Sequence, residues 1–497
     1  MNTLPKYPSL YQVNTRVWLT DLSRELGRKA TLDDIPDAEL NHLAELGFDW
    51  IWFLSVWKTG KLGQKISREN QSHRQDFEDT LPDLKEKDIE GSGFAIAGYS
   101  VSENLGGDES LKRLRKRLQK RGLKLMLDFV PNHMGPDHPW VKEHPGYFVS
   151  GTENDLEKFP QNYTRIKNKS GDLILAYGRD PFFDGWSDTF QLDYSNPATV
   201  EAMMRELQRI AGQCDGVRCD MAMLLLPEVF ERTWGKKALS FWPEALKNVR
   251  KKHQGFCFIA EVYWDLEWTM QQLGFDYAYD KRLYDRLREG HTKAIREHFH
   301  AGLDYQDKLA RFLENHDEPR AASTFENKKH EAAAIVTFFS PGLRFFHQGQ
   351  FEGRKKHISP HLVRAPKEPI VPELQESYNK LLTVLQKPVF RDGNWRLLEC
   401  LPEWEGNSSW DSYVAFLWEG TDGCWALVCV NYAPHASQCF VKLPDSVTSG
   451  ETIVFRDLIR QTVYERDCDD LKSRGLYLNL PEWGYHVFEP GNVLAPV

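Results

Sequence analysis

The stretch CDGVRCDMAMLLLPE, residues 214–228, places an arginine and an aspartate two positions apart in a short β-like run. Side chains on a strand alternate between its two faces, so Arg218 and Asp220 point to one side while Val217 and Cys219 point to the other. If the apolar side packs on helices, the charged pair faces inward, where burial is costly unless the charges are matched or used. The pair is therefore either a structural ion pair or part of a reactive site.

Polar residues follow three other β-like runs of the chain in the same way. The segments DFVPNH, IAEVYW and FLENHDEPR supply Asp128, Asn132, His133, Glu261, Asn315, His316 and Asp317. A single aspartate after a strand is more often a turn residue or a helix cap than a catalyst. Three acids, two histidines and an arginine at the same level of four strands favour a shared site instead.

The elements that must position these residues alternate between strand and helix. Helical patterns, such as those over 37–47, 197–212 and 330–339, lie between most of the β-like runs. The runs span 10–19, 48–57, 123–130, 215–220, 256–264, 275–280, 309–315 and 342–349. Eight strands alternating with helices predict an α/β fold, a closed (β/α)8 TIM barrel rather than an open sheet. In such a barrel the chemistry lies at the carboxyl ends of the strands, which is where the polar residues fall.

Two connections and the carboxyl-terminal segment depart from this alternation. The polar connection 58–98 is predicted to be an elaborated loop, and 134–190, after the third strand, to be a small subdomain over the barrel mouth. After about residue 395 short alternating runs replace the helices, a pattern typical of an antiparallel β-sandwich. We therefore predict a barrel domain over 1–133 and 191–395, an inserted domain over 134–190, and a sandwich domain over 396–497.

The composition is that of an ordinary globular protein. Apolar residues make up 41% and charged residues 27%, and 63 Lys and Arg stand against 72 Asp and Glu. This mild acidic balance argues against nucleic acid or an anionic membrane as a partner. The locally basic segment 111–122 has leucines at helical spacing, which predicts an amphipathic helix with a solvated basic face.

Signals of export and membrane insertion are not seen in the sequence. The amino terminus lacks the pattern of a signal peptide, and no apolar stretch reaches the length of a membrane span. The eight cysteines form no C-x-x-C pair, which indicates reduced thiols and a cytoplasmic protein. The oligomeric state is not indicated.

Three carboxylates with histidines admit two chemistries. One is a metal site, although no H-x-x-x-H or H-x-H pair supports it. The other is glycosidic cleavage, in which one carboxylate attacks the anomeric carbon and another, kept protonated, donates its proton to the leaving oxygen. The guanidinium of Arg218 beside Asp220 suits an ionised nucleophile, and the apolar neighbours of Glu261 suit a proton donor. The two environments thus favour an ionised Asp220 and a protonated Glu261, the pair of protonation states that glycosidic cleavage requires.

At these four places the sequence resembles the α-amylase superfamily, glycoside hydrolase family thirteen. DFVPNH, GVRCD, AEVYW and FLENHD resemble its four conserved regions in the same order, and QLDYSNPATVEAM (191–203) resembles the segment that closes its inserted domain. The similarity extends from about Tyr11 into the carboxyl-terminal β domain. It implies a retaining double displacement, with Asp220 as the nucleophile, Glu261 as the general acid and then base, and Asp317 as the third acid, which holds the sugar hydroxyls.

The resemblance also implies a set of substrate-binding residues: Phe94, His133, Arg218, Tyr263, His316 and Arg320. Among these, His133 and His316 would hydrogen-bond the reacting sugar, and Arg320 would contact a neighbouring sugar or a carboxylate. Phe94 takes the place of a tyrosine that stacks on that sugar. Ala95 takes the place of an aspartate that grips the terminal glucose in members acting on chain ends, which favours a cleft open on both sides.

A calcium site is the one cofactor that the resemblance raises. Asn132 matches a calcium ligand of the family, but it can equally brace its loop. A Lys-His pair that helps to build the site in many secreted relatives is replaced by Met223 and Leu224. The sequence therefore predicts that no cofactor is required, with calcium at Asn132 as the alternative.

Together these inferences predict an α-amylase-like hydrolase that cleaves internal α-1,4 bonds of maltooligosaccharides or of starch- and glycogen-like glucans, with retention. One alternative is a transglycosylase of the 4-α-glucanotransferase type, because both reactions share the covalent intermediate. Another is a non-catalytic carbohydrate-binding relative, although such relatives typically lose one or more of the carboxylates. The expected partner is the α-glucan or maltooligosaccharide, with neither nucleic acid nor a membrane.

Overall fold

A closed barrel of eight parallel strands forms the centre of the computed structural model, which describes residues 4–167 and 171–491. The strands follow one another around the ring in sequence order, and β1 pairs with both β2 and β8 to close it. They are β1 (Ser9–Asn14), β2 (Trp50–Leu54), β3 (Lys124–Phe129), β4 (Gly216–Cys219), β5 (Cys257–Ala260), β6 (Tyr277–Tyr279), β7 (Leu309–Arg311) and β8 (Leu343–His347). The predicted (β/α)8 TIM barrel is confirmed.

Helices cover the outside of the barrel, so that its strands are buried on both faces. The helix Gly107–Gln119 shows the pattern, because Leu111, Leu114 and Leu118 face the core while its basic residues face solvent. The helices of this layer are Thr15–Leu26, Asp37–Glu45, Gly107–Gln119, Pro197–Ala211, Pro227–Trp234, Trp242–Lys252, Glu267–Gln272, Lys281–Glu289, Thr292–Phe299, Leu303–Gln306, Ala321–Thr324, Asn327–Phe338, Pro372–Leu385 and Pro388–Asp392. Each observed strand is shorter than its β-like run, since the polar residues that follow it leave the ladder for a loop.

The connection 58–98, predicted to be an elaborated loop, contains two helices. A ladder between Trp57–Thr59 and Ile96–Val101 closes its base, and the helices Lys61–Glu69 and Gln71–Thr80 lie between. We call residues 57–101 the helical insert. Its polar composition is explained by its position, because the second helix buries a single large side chain, that of Phe77, against residues that follow β8.

The inserted segment after β3 rests on the barrel through a short ladder between His133–Met134 and Phe190–Gln191. A hairpin, Tyr163–Ile166 with Leu173–Ala176, and two short helices, Trp140–Glu143 and Glu153–Lys158, make up the rest of its regular structure. The predicted domains also include residues 1–3, 168–170 and 492–497, which lie outside the described residues. The exact domain boundaries stay a prediction.

Two antiparallel sheets form the carboxyl-terminal domain, with an apolar core of their own. Their strands are β9 (Asn394–Leu397), β10 (Cys400–Leu401), β11 (Tyr413–Glu419), β12 (Trp425–Asn431), β13 (Ser437–Val441), β14 (Thr452–Asp457), β15 (Val463–Asp467), β16 (Leu476–Leu480) and β17 (Tyr485–Pro490). The larger sheet has the order β9-β11-β12-β17-β14-β15, and the smaller has the order β10-β13-β16. One short helix, Cys468–Arg474, interrupts the β structure that the sequence predicted without helices.

The cysteines carry no cross-link. All eight lie in the described part of the chain, and all are unpaired thiols. Seven are buried, whereas Cys424 is exposed. Within residues 4–167 and 171–491, no helix combines the length and the apolar character that a membrane crossing needs.

Trp418 on β11 joins the carboxyl-terminal domain to the barrel. Its side chain is fully buried, and its indole Nε1 donates a hydrogen bond of 2.8 Å to the carbonyl oxygen of Phe339. Its ring meets that of Tyr7 edge to face, with the centroids 4.9 Å apart, and lies near Phe390. The interface therefore depends on a large apolar side chain whose single polar atom is satisfied.

Replacing Trp418 with alanine is expected to lower the free energy of unfolding by about 3–5 kcal/mol, because it leaves a cavity and an unpaired carbonyl at the interface. Chemical denaturation followed by circular dichroism measures the change. Trp404, whose side chain is 55% exposed, provides the control, and Trp404→Ala is expected to change stability by no more than about 0.5 kcal/mol. Equal losses in the two variants would contradict this account of the interface.

Candidate active site

A single buried guanidinium organises the carboxyl end of the barrel. Arg218 lies on β4 with its side chain 1% exposed. Its Nη1 atom is 2.6 Å from Asp220 Oδ1, and its Nη2 atom is 2.8 Å from Glu261 Oε2. Its Nη2 and Nη1 atoms also lie 3.7 Å from Asp317 Oδ2 and 3.9 Å from Asp128 Oδ1. Carboxylates from four strand ends thus converge on one cation.

The turn after β4 brings the Asp220 and Glu261 segments together. Asp220 is buried, and the next residue, Met221, adopts a left-handed backbone with φ of 42°. A non-glycine residue in this region is strained, and such strain is concentrated at functional sites. Here it aims the Met221 amide at Glu261, whose Oε2 accepts a hydrogen bond of 2.6 Å from it.

The surroundings of Glu261 favour its protonated form. Burial and the nearby charges of Asp220 and Asp317 together raise the pKa of its carboxyl group to about 8, against the opposing effect of the Arg218 cation. The hydroxyl of Tyr263 donates a hydrogen bond of 2.9 Å to Glu261 Oε1. Near neutral pH the protonated form of Glu261 therefore predominates, as the sequence argument required of a general acid.

Asp317 and His316 approach the same point from the end of β7. The carboxylate of Asp317 faces the cleft with 39% of its side chain exposed, and one of its oxygen atoms is 3.1 Å from His316 Nε2. Gln12 on β1 donates a hydrogen bond of 2.9 Å to His316 Nδ1, which leaves the proton of the neutral ring on Nε2. That nitrogen makes no hydrogen bond with the described residues, because its 3.1 Å approach to Asp317 lacks hydrogen-bond geometry. The ring can therefore donate to a ligand hydroxyl.

A cavity of about 400 Å³ brings most of the predicted residues together. Asp220, Glu261 and Asp317 line it with Phe94 and His133. The ring of Phe94 lies 5.2 Å from the Arg218 guanidinium carbon and 5.3 Å from the His316 ring. Its half-buried face is available for stacking on a flat apolar ligand. Burial lowers the pKa of His133, so this ring is neutral as well.

Arg320 is one predicted residue that the structure does not bring to this cavity. Its guanidinium is buried and pairs with Glu314, with Nη1 2.6 Å from Oε1, and also donates to the carbonyl oxygen of Gln348. Of the two contacts predicted for Arg320, a sugar or a carboxylate, the structure has the carboxylate. Tyr263 likewise acts on Glu261 and does not line the cavity itself.

Asn132 is buried behind the cavity, and its oxygen atoms are already used. The side-chain Nε2 of Gln191 donates to Asn132 O at 2.9 Å, to Asn132 Oδ1 at 3.0 Å and to the carbonyl oxygen of Leu192 at 3.1 Å. The opposite orientation of this amide would place an oxygen against three oxygens. An amide nitrogen thus occupies the centre of an oxygen cluster that a hard cation such as calcium would need.

The other residues near Asn132 do not favour calcium either. Met223 and Leu224, which stand where many relatives have the Lys-His pair, are buried apolar side chains. The described residues contain no group of three or more His, Cys, Asp or Glu side chains that could hold a metal ion. The residues present therefore do not fit calcium, and Asn132 braces the connection between β3 and the inserted segment.

Several residues of the site were not identified in the sequence. His73 of the helical insert, Trp186 and Asp188 of the inserted segment, and His361 after β8 line the cavity. They lie far from any strand end, so neither periodicity nor spacing connects them. For Gln12 the sequence did hold a weak indication of a role in the site, because it is a polar residue inside an apolar β-like run.

Two exposed aromatic rings meet at the loop that follows β5. Phe182 and Trp264 meet edge to face with their centroids 5.0 Å apart, and they are 51% and 38% exposed. Trp264 and Asp265 both have left-handed backbones, with φ of 62° and 63°. Exposed aromatic pairs held by a strained loop suggest a binding surface for flat apolar faces.

Three acids at the carboxyl ends of barrel strands face one cavity, and one of them is protonated. This arrangement is typical of an enzyme that transfers or hydrolyses glycosyl groups. A comparison with family models gives the same class. The model described as "Alpha amylase, catalytic domain" matches residues 31–392. The chain therefore belongs to the α-amylase family.

Comparisons with individual proteins give more distant similarities. The chain is 30% identical over 173 residues to the α-1,4-glucan:maltose-1-phosphate maltosyltransferase of Pseudomonas aeruginosa, covering 33% of this chain and 23% of that protein. It is 22% identical over 336 residues to the α-amylase MalA of Haloarcula japonica, covering 66% and 42% respectively. The match thus spans less than half the length of either relative.

Solved structures share the architecture over nearly the whole chain. The maltogenic α-amylase AmyB of Thermotoga neapolitana superposes with a TM-score of 0.69 at 18% identity, covering 98% of this chain and 99% of that one. The α-amylase of Geobacillus thermoleovorans, solved with acarbose, gives 0.66 at 18% identity, with 99% and 100% covered. At such identities the similarity shows the fold.

Replacing Gln191 with glutamate is expected to lower the melting temperature, because a carboxylate would then face the oxygens of Asn132 and Leu192 and lose the hydrogen bonds, at a cost of about 1–3 kcal/mol. Added calcium is expected to restore part of that loss in the variant, whereas a chelator leaves the melting temperature of the unaltered protein unchanged. Thermal denaturation with and without calcium and chelator measures both. A fall in the unaltered protein on chelation would contradict the interpretation of Gln191.

Proposed function

We propose that this protein cleaves α-1,4-glucosidic bonds of maltooligosaccharides or of starch- and glycogen-like glucans with retention, and that it needs no metal ion. The observation that carries the proposal is the pairing of Asp220 and Glu261 with the two amino groups of one guanidinium. This pairing holds both carboxyl groups within reach of a single glucosyl ring. The family and the names of the relatives, α-amylases and α-1,4-glucan maltosyltransferases, support the substrate class.

In the first step Asp220 attacks the anomeric carbon of the bound sugar. The bond from that carbon to the leaving oxygen breaks, and the oxygen takes the proton of Glu261. Arg218 holds the Asp220 carboxylate in position, and its charge lies beneath both acids. The product of this step is a glucosyl ester of Asp220, with Glu261 now ionised.

In the second step the ionised Glu261 removes a proton from water, and the water oxygen attacks the anomeric carbon and displaces Asp220. Two inversions leave the anomeric configuration unchanged. Asp317 and His316 contribute by hydrogen-bonding the ring hydroxyls, and these interactions strengthen as positive charge develops on the ring. Phe94 stacks on the apolar face of the same ring.

Transfer to a second sugar is the other candidate reaction, and the exposed pair of Phe182 and Trp264 favours it. Trp264 follows Glu261 by three residues in the loop after β5, and in this proposal an acceptor sugar enters beside that loop once the leaving sugar has departed. A stacked acceptor would compete with water for the glucosyl ester. Incubation with maltoheptaose distinguishes the reactions, because hydrolysis gives only shorter sugars and transfer also gives longer ones.

Replacing Glu261 with glutamine is expected to lower kcat on maltoheptaose by about 10²–10⁴-fold, because general acid catalysis is lost. Asp220→Asn is expected to abolish turnover, and NMR of the unaltered enzyme's first products should show the α-anomer. Glu267→Gln is the matched control, since Glu267 is also a buried carboxyl group with a raised pKa but lies outside the cavity. An Asp220→Asn variant as active as the parent would favour a non-catalytic binding protein instead.

The pH dependence follows from the protonation of Glu261. The raised pKa keeps its proton through neutral pH, so activity is expected to persist to neutral pH and to fall as the pH rises through about 8. Tyr263→Phe removes a hydrogen bond that stabilises the ionised carboxylate, and should move this alkaline limb to higher pH. Profiles of kcat/KM against pH, recorded for the unaltered enzyme and for Tyr263→Phe, measure the alkaline limb of each. An alkaline limb near the ordinary glutamate value of about 4.3 would contradict the assignment.

A further inference from the structure

One side of the cavity is formed by residues that the mechanism does not use. Residues 70–73 of the helical insert, 185–189 of the inserted segment and 359–361 after β8 complete the lining around the acids. The volume of about 400 Å³ is at the lower end of the range for small-molecule sites. The cavity therefore has room for a ligand of about disaccharide size.

This wall is fixed by packing and hydrogen bonds. Phe77 of the helical insert packs with Ile358 and Leu362 in a small apolar cluster. The backbone amide of Glu90 donates to the carbonyl oxygen of His361 at 2.9 Å, and that of Val363 donates to Asp88 at 3.0 Å. The helical insert and the segment after β8 are thus tied together as one rigid boundary.

The wall lies on the donor side of the site. Glu261 gives its proton to the leaving oxygen, so the leaving sugar lies beside β5. Two parts of the wall follow β2 and β8, which flank β1, the strand across the ring from β5, and the third part belongs to the inserted segment after β3. Sugar units attached to the non-reducing side of the reacting glucosyl ring therefore point towards the wall.

Two polar atoms in this wall lack partners. Asp188 is 8% exposed, and its Oδ2 atom makes no hydrogen bond with any residue that the structure describes. The same is true of Nδ1 of His73, whose ring lies 5.0 Å from that of His361. Burial also raises the pKa of Asp188. Unpaired buried polar atoms destabilise a protein, so their presence beside a catalytic cavity points to a ligand.

We infer that Asp188 and His73 bind the hydroxyls of the terminal, non-reducing glucosyl unit, one unit beyond the reacting ring. A hydroxyl can donate to the carboxylate and can either donate to or accept from the imidazole. In this proposal the wall ends the cavity there, so that the enzyme removes maltosyl units from chain ends. This inference rests on the proposed function and replaces the internal cleavage that Ala95 suggested, since the cleft is bounded on its donor side.

Maltoheptaose labelled at its reducing end tests the inference. The unaltered enzyme is expected to give labelled products shortened by two units at a time from the earliest time points. The double variant with Asp188→Asn and His73→Ala is expected to lose at least about 10-fold in kcat/KM and to lose the two-unit pattern. Asp184→Asn, an exposed carboxylate in the same loop, is the matched control and should behave as the parent.

Stability separates ligand binding from a structural role. Asp188→Asn removes an unpaired buried charge, so its melting temperature should equal or exceed that of the parent. A structural role would lower it. Labelled products of every length from the start, or a two-unit pattern that survives in the double variant, would overturn the inference while leaving the proposed function intact.

If the unaltered enzyme cleaves no α-1,4-glucan, the proposed function is wrong, and calorimetric titration with maltose still tests the wall. The expected result is then binding at least about 10-fold weaker in Asp188→Asn than in Asp184→Asn. Equal binding in the two variants would overturn the inference.

Discussion

The burial of the Arg218 charge is the constraint on which the site depends. Removing a guanidinium from water costs several kcal/mol unless partners replace the lost hydration. The side chain of Arg218 is almost completely buried. The ends of β3, β4, β5 and β7 each bring a carboxyl group towards it. The barrel can close around this cation only if those strand ends lie at one level. The geometry of catalysis and the stability of the barrel mouth are therefore set by the same contacts.

The excess of acids over cations determines the protonation of the site. Four carboxyl groups surround one guanidinium, so they cannot all be ionised in a buried setting without large repulsion. The protons remain on the groups that are most deeply buried, and burial raises the pKa of Glu261 to about 8 and that of Asp128 to about 7. Asp128 lies outside the cavity lining, and its protonation removes one negative charge from the site. Glu261 keeps its proton and also reaches the cavity, as the proposed role of proton donor requires.

The barrel supplies the reaction, and the segments outside it decide what the reaction acts on. The acids end short strands that neighbouring strands hold in register, whereas the helical insert and the inserted segment shape the cavity from outside the ring. Asp188 and His73 line the cavity, whereas the exposed pair of Phe182 and Trp264 lies outside its lining. The shape of the cavity is a property of these connections, and sequences that share the barrel need not share it.

Local patterns were sufficient to predict the barrel, its strand order and the acids, because a buried parallel strand must be apolar and the polar residues at its end stand out. The same patterns could not identify the two helices within 58–98, because these helices are largely polar and bury few apolar side chains. Nor could they separate Arg320, which pairs with Glu314, from residues that line the cavity. The amide of Gln191 among the oxygens of Asn132, and the convergence of His73 with Asp188, join segments distant in the chain. Only packing in three dimensions brings such groups together, since no periodicity relates them.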